Sequence, residues 1–129
     1  MKYLTAEDIL VIHALIIDET GGSHGLRDRH AILALEHLPR QKFGGHELYK
    51  TIFEKAAVYA RNIIMGHPFV DGNKRTGMTA ASVFLENNGY KIIAKEGEIE
   101  KVALKIIKDQ LEIEAIAKWF KTHSRKIKK

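Results

Sequence analysis

The sequence contains no cysteine, only two prolines and one tryptophan, and no long run of apolar residues. Without cysteine the chain can form neither disulfide bonds nor thiolate metal sites, which is usual in a reducing cytoplasm. No apolar stretch approaches the roughly 18 residues that span a bilayer, and no signal-peptide core follows Met1. We therefore expect a soluble, cytoplasmic protein without a membrane partner.

The basic residues are concentrated at the C-terminus. The chain carries 21 Lys and Arg against 16 Asp and Glu, a net charge of +5. Six of the basic residues and no acidic ones lie in residues 118–129, so 15 basic residues face 16 acidic ones in the rest of the chain. A length of 129 residues suits a single domain. We predict a domain over residues 1–122 and a basic C-terminal tail over residues 123–129, and we do not expect nucleic acid as a partner of the domain.

Apolar residues recur with a helical period in six segments. Between residues 49 and 65 they repeat every three or four positions, and Gly66 and Pro68 end the segment. His13 lies on the apolar stripe of the first segment, where a hydrogen-bonded core histidine is a simpler interpretation than a ligand. The pattern predicts a compact all-α domain of about six helices. The predicted helices cover about residues 6–20, 29–38, 49–65, 74–87, 98–108 and 112–121, and residues 90–94 read as a short extended segment.

Two glycine-containing connectors separate the first three predicted helices. Residues 21–25 read as a flexible connector, and residues 27–29 as the entry to the second helix. Residues 40–47 contain Gly44 and Gly45, which favour either a mobile loop or a small β-hairpin.

The stretch of residues 66–77, GHPFVDGNKRTG, joins the third predicted helix to the fourth. It leads into a helix N-terminus near Lys74 or Arg75, where backbone N–H groups lack partners and the helix dipole favours an anion. Gly72 allows the chain to turn and to approach a ligand closely. Lys74 offers a point charge and Arg75 a planar fork, and both suit phosphate oxygens. The stretch therefore predicts a phosphate site.

Two residues of the same stretch add chemistry that a phosphate site alone lacks. Asp71 is a hard oxygen ligand of the kind that binds Mg²⁺ together with phosphates. His67 can accept a proton near neutral pH, although it could also simply end the preceding helix. His67 and Asp71 could instead share a transition metal, but such a site takes a third protein ligand and none is evident. We interpret the stretch as a site for a metal-bound phosphate compound with a base beside it, and Phe69 as its anchor in the core.

Residues 67–75, HPFVDGNKR, resemble the signature of the Fic/Doc superfamily, written H-x-F-x-(D/E)-G-N-x-R. Lys74 stands where AMP transferases of the Fic type usually have glycine, which resembles the Doc (death-on-curing) branch. Residues 21–28 and 84–89 are also similar to that branch. The resemblance covers about residues 4–122.

This resemblance implies a toxin of a toxin–antitoxin pair that transfers the γ-phosphate of ATP to a hydroxyl of a protein. The implied target is a threonine of elongation factor Tu, whose modification would arrest translation. ATP and Mg²⁺ are the implied cofactors. The implied site residues are His67 and Lys74 for catalysis, Asp71 for the metal, and Gly72, Asn73, Lys74 and Arg75 for the phosphates.

The resemblance also implies features that bind proteins. In the family, the segment matching Phe43, Gly44 and Gly45 is a flap that holds the target by strand-like backbone bonds. Inhibition is implied to come in trans, from an antitoxin that docks a C-terminal segment on the domain, and nucleic acid would be reached only through that antitoxin or the basic tail. Residues 82–87 match the family's inhibitory pattern (S/T)-x-x-x-E-(G/N), but we interpret this match as coincidence, because they lie on the helix that begins at the phosphate site. The resemblance leaves open that Arg27 lies near the active site.

Met78 bears on which reaction the chain would catalyse. AMP transferases of the Fic branch usually have a second arginine at this position, so Met78 and Lys74 together argue against nucleotidyl transfer. A Fic-type AMP transferase acting on another protein, and a non-catalytic binding module of the same fold, are the alternatives. Against the binding module, every polar group of the motif is present. Asn73 could also have a purely structural role, as a residue that occupies a left-handed position in a turn.

Overall fold

Six α-helices, one short 3₁₀ helix and two small two-stranded sheets make up residues 1–128, the part of the chain that this computed structural model describes. The prediction of a compact all-α fold of about six helices is confirmed. None of the helices in these residues is long and apolar enough to cross a membrane. The helices are α1 (Ala6–Thr20), α2 (Arg29–Ala34), α3 (Ile52–Gly66), α4 (Asn73–Asn87), α5 (Glu98–Lys108) and α6 (Ile113–Thr122), and the strands are β1 (Lys42–Phe43), β2 (His46–Glu47), β3 (Tyr90–Ile92) and β4 (Ser124–Lys126).

Helix α3 lies at the centre of the fold, with α4 and α6 packed most extensively against it. Its residues 55–60 are all buried, and residues 56–60 belong to the apolar cluster that stabilises the domain. Helix α4 approaches α3 closely at Gly77, where a Cβ would lie 2.7 Å from Cγ1 of Ile64 and 3.0 Å from the carbonyl oxygen of Ala60. Gly77 is therefore a helix-packing position, and the two helices on either side of the HPFVDGNKR motif are held close together.

Capping side chains account for several helix starts. Thr5 and Thr51 each accept a hydrogen bond from the backbone N–H three residues on and receive the reciprocal bond of a capping box. Asp28 accepts a hydrogen bond from the N–H of Ala31 and caps α2. The predicted entry to the second helix is thus confirmed.

The second helix is shorter than its apolar pattern predicts. It ends at Ala34 rather than at Leu38, and a 3₁₀ helix follows over Leu38–Arg40. Pro39 has no N–H to donate and disfavours the α conformation in the residue before it, so the chain leaves the α-helix before it reaches the proline.

Strands β1 and β2 form the hairpin that was one of the two interpretations of residues 40–47. Lys42 pairs with Glu47 and Phe43 with His46. The connecting Gly44 and Gly45 have φ angles of 58° and 81°. Two consecutive left-handed residues are what a tight two-residue hairpin turn requires, and glycine adopts them without strain.

The basic C-terminal segment is attached to the domain through β4. Strand β4 pairs antiparallel with β3. Backbone bonds from the N–H of Ile93 to the carbonyl of His123 (2.6 Å) and from the N–H of Ile127 to the carbonyl of Gly89 (2.8 Å) extend this pairing. Lys129, the last residue of the predicted tail, lies outside the described residues.

Candidate active site

Residues 67–72 form a short loop between the end of α3 and the start of α4. His67 is the C-cap of α3 in a left-handed conformation (φ 47°, ψ 54°), and its N–H donates to the carbonyl of Ile63 at 3.2 Å. Gly72 precedes α4, also left-handed (φ 80°). A Cβ on Gly72 would lie 3.1 Å from Cδ1 of Ile17, so this position needs glycine for both its conformation and its packing.

The N-terminus of α4 offers a group of unpaired donors. The N–H of Thr76 donates to the carbonyl of Gly72 at 2.9 Å, whereas among residues 1–128 the N–H groups of Asn73, Lys74 and Arg75 have no acceptor. No side chain of residues 1–128 caps this helix. Unpaired N–H groups at the positive end of a helix dipole favour an anion, and the exposed side chains of Lys74 and Arg75 add two positive charges.

Arg75 already has one weak partner. Its guanidinium nitrogen lies 3.6 Å from Oε1 of Glu19, and both side chains are more than half exposed. An exposed ion pair of this kind contributes little free energy. A phosphate could therefore displace Glu19 at small cost.

The side chain of Asn73 holds the loop together from inside. It is buried, its Oδ1 accepts the N–H of Phe69 at 3.0 Å and its Nδ2 donates to the carbonyl of Phe69 at 2.8 Å. Both amide atoms are thus used within the loop, so a phosphate contact at this residue would come from its backbone N–H. The structural alternative for Asn73 is wrong in detail, because the left-handed residue of the turn is Gly72 and Asn73 is the first residue of α4.

The same amide reaches the histidine. Nδ2 of Asn73 lies 3.4 Å from Nδ1 of His67, a long contact. The His67 side chain is exposed at the surface of the loop. His67 is therefore placed next to the N-terminus of α4, where an anion would bind, and remains accessible to a second molecule.

Asp71 lies between this loop and the segment that follows α1. Its Oδ2 accepts the N–H of Ser23 at 2.7 Å and its carbonyl oxygen accepts Nε2–H of His13 at 2.9 Å. The carboxylate is exposed and its Oδ1 has no protein donor within residues 1–128. A single carboxylate with one available oxygen fits a hard cation that takes most of its ligands from phosphates and water.

His13 is a buried support for the loop, and its prediction as a hydrogen-bonded core histidine is confirmed. It is 3% exposed, and its ring stacks on Phe69 with centroids 3.7 Å apart and planes 5° apart. Phe69 itself is 1% exposed, as predicted for the anchor of the loop. Together the stacking and the bond to Asp71 fasten the middle of the loop to α1.

The segment predicted as a flexible connector is in fact paired with the loop. The N–H groups of Arg27 and Asp28 both donate to the carbonyl of Pro68, at 2.7 and 3.0 Å, and the N–H of Val70 donates to the carbonyl of Gly25 at 2.9 Å. These backbone bonds, between residues at least 40 positions apart, leave no periodic signal in the sequence. They bring the backbone of Arg27 to the loop, while its side chain is exposed.

A groove of about 580 Å³ begins at the N-terminus of α4 and runs between α4 and α5. The cations of Lys74 and Arg75 line one part of it, and Met78, which is 4% exposed, contributes to an apolar part. The groove can accommodate a molecule with both a charged and an apolar end. Its remaining lining residues are Thr79, Ile99, Glu100 and Ala103.

The hairpin is fastened to α3 by a buried lysine that the sequence analysis missed. Lys55 is 1% exposed, and its Nζ donates to the carbonyl of Pro39 and to Oε1 of Glu47, both at 3.0 Å. The available signal was its spacing, because position 55 lies three residues after Ile52 and four before Tyr59 on the buried side of the helix. Phe43, at the other end of the hairpin, is 82% exposed.

We expect the two partners of this ion pair to respond differently to mutation. Glu47→Ala leaves the buried ammonium of Lys55 without its counter-charge, whereas Lys55→Met leaves a carboxylate that water can reach. Glu47→Ala should therefore lower the melting temperature more than Lys55→Met. Thermal unfolding of both variants checks the order, and the reverse order would contradict it.

The same pair gives a pH dependence. The Lys55 ammonium, through its hydrogen bond and charge, lowers the pKa of Glu47 in the folded protein. The pair should stabilise the fold above the ordinary pKa of a glutamate and lose this contribution as the pH falls through the lowered value. In acid, the difference in melting temperature between the wild type and Glu47→Ala should accordingly shrink.

Comparison with known proteins covers both the loop and the hairpin. A family model described as "Fic/DOC family" matches residues 3–85, which include α1 to α3 and most of α4. The chain belongs to the Fic/DOC family. The match includes every site residue predicted from the sequence, and α5, α6 and β4 lie beyond it.

Two relatives of this Fic/DOC protein cover most of its length. A protein named "Toxin Doc" from Mycolicibacterium smegmatis (strain ATCC 700084 / mc(2)155) is 33% identical over 93 residues, which are 72% of this chain and 69% of the relative. A protein named "Protein kinase doc" from Escherichia phage P1 is 29% identical over 92 residues, 71% of this chain and 72% of the relative. The resemblance to the Fic/Doc superfamily inferred from the motif is therefore confirmed.

Proposed function

We propose that this Fic/DOC protein is a Doc-like toxin that transfers the γ-phosphate of ATP to a hydroxyl of a protein target. The observation that carries the proposal is the juxtaposition of an exposed His67 with the unpaired N–H groups and cations at the start of α4. The names of the two relatives, a toxin and a protein kinase, support the same activity.

The phosphates of ATP would bind at the N-terminus of α4. Backbone N–H groups of residues 73–75 and the side chains of Lys74 and Arg75 supply positive potential where negative charge develops on the transferred group. Gly72 supports this arrangement because it adopts the left-handed conformation that leads into α4. The groove between α4 and α5 would hold the nucleoside end, with Met78 in its apolar part. Most of the catalysis would come from positioning and charge neutralisation.

His67 would act as the general base. It takes the proton of the target hydroxyl while that oxygen attacks the γ-phosphorus and ADP leaves. Asn73 and His13 position the loop, and neither needs to touch the reacting atoms. Asp71 would hold Mg²⁺, which supplies charge neutralisation on the phosphate oxygens.

The hairpin is the proposed target-binding flap. Phe43 is exposed, and a strand of the target can pair with the short edge that Gly44 and Gly45 terminate. Lys55 then acts as a positioning residue, because it sets where the base of the flap lies on α3.

Inhibition would come in trans from an antitoxin that docks a C-terminal segment on the domain. The chain's own match to the inhibitory pattern lies on α4, with Glu86 about 20 Å from the helix N-terminus at 1.5 Å per residue. A rigid helix cannot bring this carboxylate to the phosphate site at its own beginning. A purified chain that binds no peptide from the C-terminus of a protein encoded beside it would contradict this proposal.

The direct test is the intact mass of elongation factor Tu, the target implied by the family resemblance, after incubation with this protein, ATP and Mg²⁺. We expect a gain of one phosphate. A gain of one AMP would overturn the kinase reading in favour of AMP transfer, despite Lys74 and Met78. An unchanged mass would rule out this target.

Substitution of Asp71 separates metal binding from loop structure. Asp71→Asn keeps an acceptor for the N–H of Ser23 but removes the charge that attracts a cation. Phosphate transfer should need a much higher Mg²⁺ concentration in the variant, with little change in melting temperature. Titration of activity against Mg²⁺ checks this, and an unshifted curve would exclude Asp71 as the ligand.

A further inference from the structure

The sheet formed by β3 and β4 carries a groove lined by cations. The groove measures about 390 Å³, and none of the residues that line it is acidic. Two are isoleucines that remain exposed, Ile93 at 44% and Ile127 at 42%. The lining residues are Lys91, Ile93, Arg125, Lys126, Ile127 and Lys128.

Strand pairing places cations and isoleucines side by side on one face. Lys91 is the pairing partner of Arg125, and side chains two residues apart in a strand point the same way. Lys91, Ile93, Arg125 and Ile127 therefore share the outer face of the sheet. The opposite face packs against the core through Tyr90 and Ile92.

The positive charges that line the groove have no internal compensation within residues 1–128. Among residues 1–128, none of Lys91, Arg125, Lys126 and Lys128 forms a salt bridge. Like charges directly opposite each other on a sheet, such as Lys91 and Arg125, destabilise it. A bound partner with negative charges would relieve this repulsion.

The outer edge of β4 is open to a further strand. β4 pairs only with β3 within the described chain. Because the N–H of Ile127 bonds to the carbonyl of Gly89 on the β3 side, alternation directs the backbone groups of Ser124 and Lys126 away from β3. Such an edge can pair with an extended peptide.

We propose that this face binds an extended acidic segment of another protein, which adds to β4 as a strand and carries carboxylates and apolar side chains in turn along one face. On the outer face the carboxylates match Lys91 and Arg125, and the apolar side chains cover Ile93 and Ile127. Single-stranded nucleic acid fits less well, because no aromatic side chain lines the groove for base stacking. This inference does not depend on the proposed catalytic activity.

Fluorescence anisotropy with a labelled peptide that repeats Glu-Ser-Val-Ser, which places Glu and Val in turn on one face of a strand, tests the proposal. We expect the full chain to bind this peptide. A peptide with Gln in place of Glu should bind with an affinity at least roughly tenfold lower. Arg125→Glu/Lys126→Glu should remove binding. The control Lys101→Glu/Lys105→Glu makes the same change in net charge on the exposed side of α5 and should retain it.

Four results would overturn the proposal. Two concern the Glu peptide: no binding to the wild type, or an equal loss of affinity in Arg125→Glu/Lys126→Glu and in the control Lys101→Glu/Lys105→Glu. The other two are tighter binding of a labelled single-stranded oligonucleotide, and self-association of the chain that Arg125→Glu/Lys126→Glu abolishes. The last would assign the face to a second copy. If Arg125→Glu/Lys126→Glu unfolds, Lys91→Glu/Lys128→Glu replaces it, because it changes the charge of the same groove outside β4. This variant should also lose binding of the Glu peptide.

Discussion

Replacement of His67 by asparagine should lower phosphate transfer by roughly 10²–10⁴-fold, the usual cost of losing a general base. Asparagine is the better choice than alanine because His67 has a positive φ of 47°. Asparagine tolerates this left-handed conformation, whereas alanine adds backbone strain. His67→Asn thus removes the base while keeping the turn from α3 into the loop.

The experiment compares initial rates of target phosphorylation and melting temperatures. His30→Asn serves as the control, because His30 is an exposed histidine on α2. We expect full activity in the control and an almost unchanged melting temperature in both variants. Turnover near the wild-type rate in His67→Asn would rule out His67 as the base.

Addition of a single methyl group at Gly77 should destabilise the whole domain. The new Cβ would lie 2.7 Å from Cγ1 of Ile64 and 3.0 Å from the carbonyl oxygen of Ala60, so α3 and α4 must move apart. Overpacking of this kind costs about 1–3 kcal/mol. Because His67 ends α3 and the proposed phosphate site lies at the start of α4, the same displacement should also lower activity.

Gly66→Ala is the matched control for this prediction. Gly66 is the last residue of α3, and a Cβ there meets no atom within 4 Å. Alanine favours the helix over glycine by about 1 kcal/mol, so this variant should be as stable as the wild type or more stable. Denaturant unfolding of both variants gives the comparison, and an unchanged midpoint for Gly77→Ala would show that the helices yield without cost.

The local patterns of the sequence were sufficient for the helices and for the chemistry of the loop. Apolar periodicity located all six helices, and the Gly44-Gly45 pair left open the hairpin that forms. Both depend on residues close together in the chain. The second helix was wrongly predicted to reach Leu38 because the apolar pattern continues that far. Pro39 disfavours the α conformation in the residue before it, and the α-helix ends earlier.

The contacts that position the site could not be predicted in this way. Ser23 and Gly25 each hold the loop through one bond to a residue far along the chain, and Lys55 holds the hairpin through two bonds. Isolated bonds of this kind have no period to detect. Residues 21–25 looked flexible because their glycines permit many conformations. Their pairing with the loop arises only once α1 and α4 are packed together.

By itself the sequence established which chemical groups the site contains, since His67, Asp71, Lys74 and Arg75 lie within one short stretch whose order places them at a helix start. It also established the net charge and the helical class, which depend on composition and local periodicity. The tertiary structure determined which of these groups are available. It showed that the Asn73 amide is used inside the loop, that Asp71 keeps one oxygen, and that the basic segment forms a strand with a charged outer face. The physical reason is that hydrogen bonding and burial are set by neighbours in space, and those neighbours come from parts of the chain that no local pattern connects.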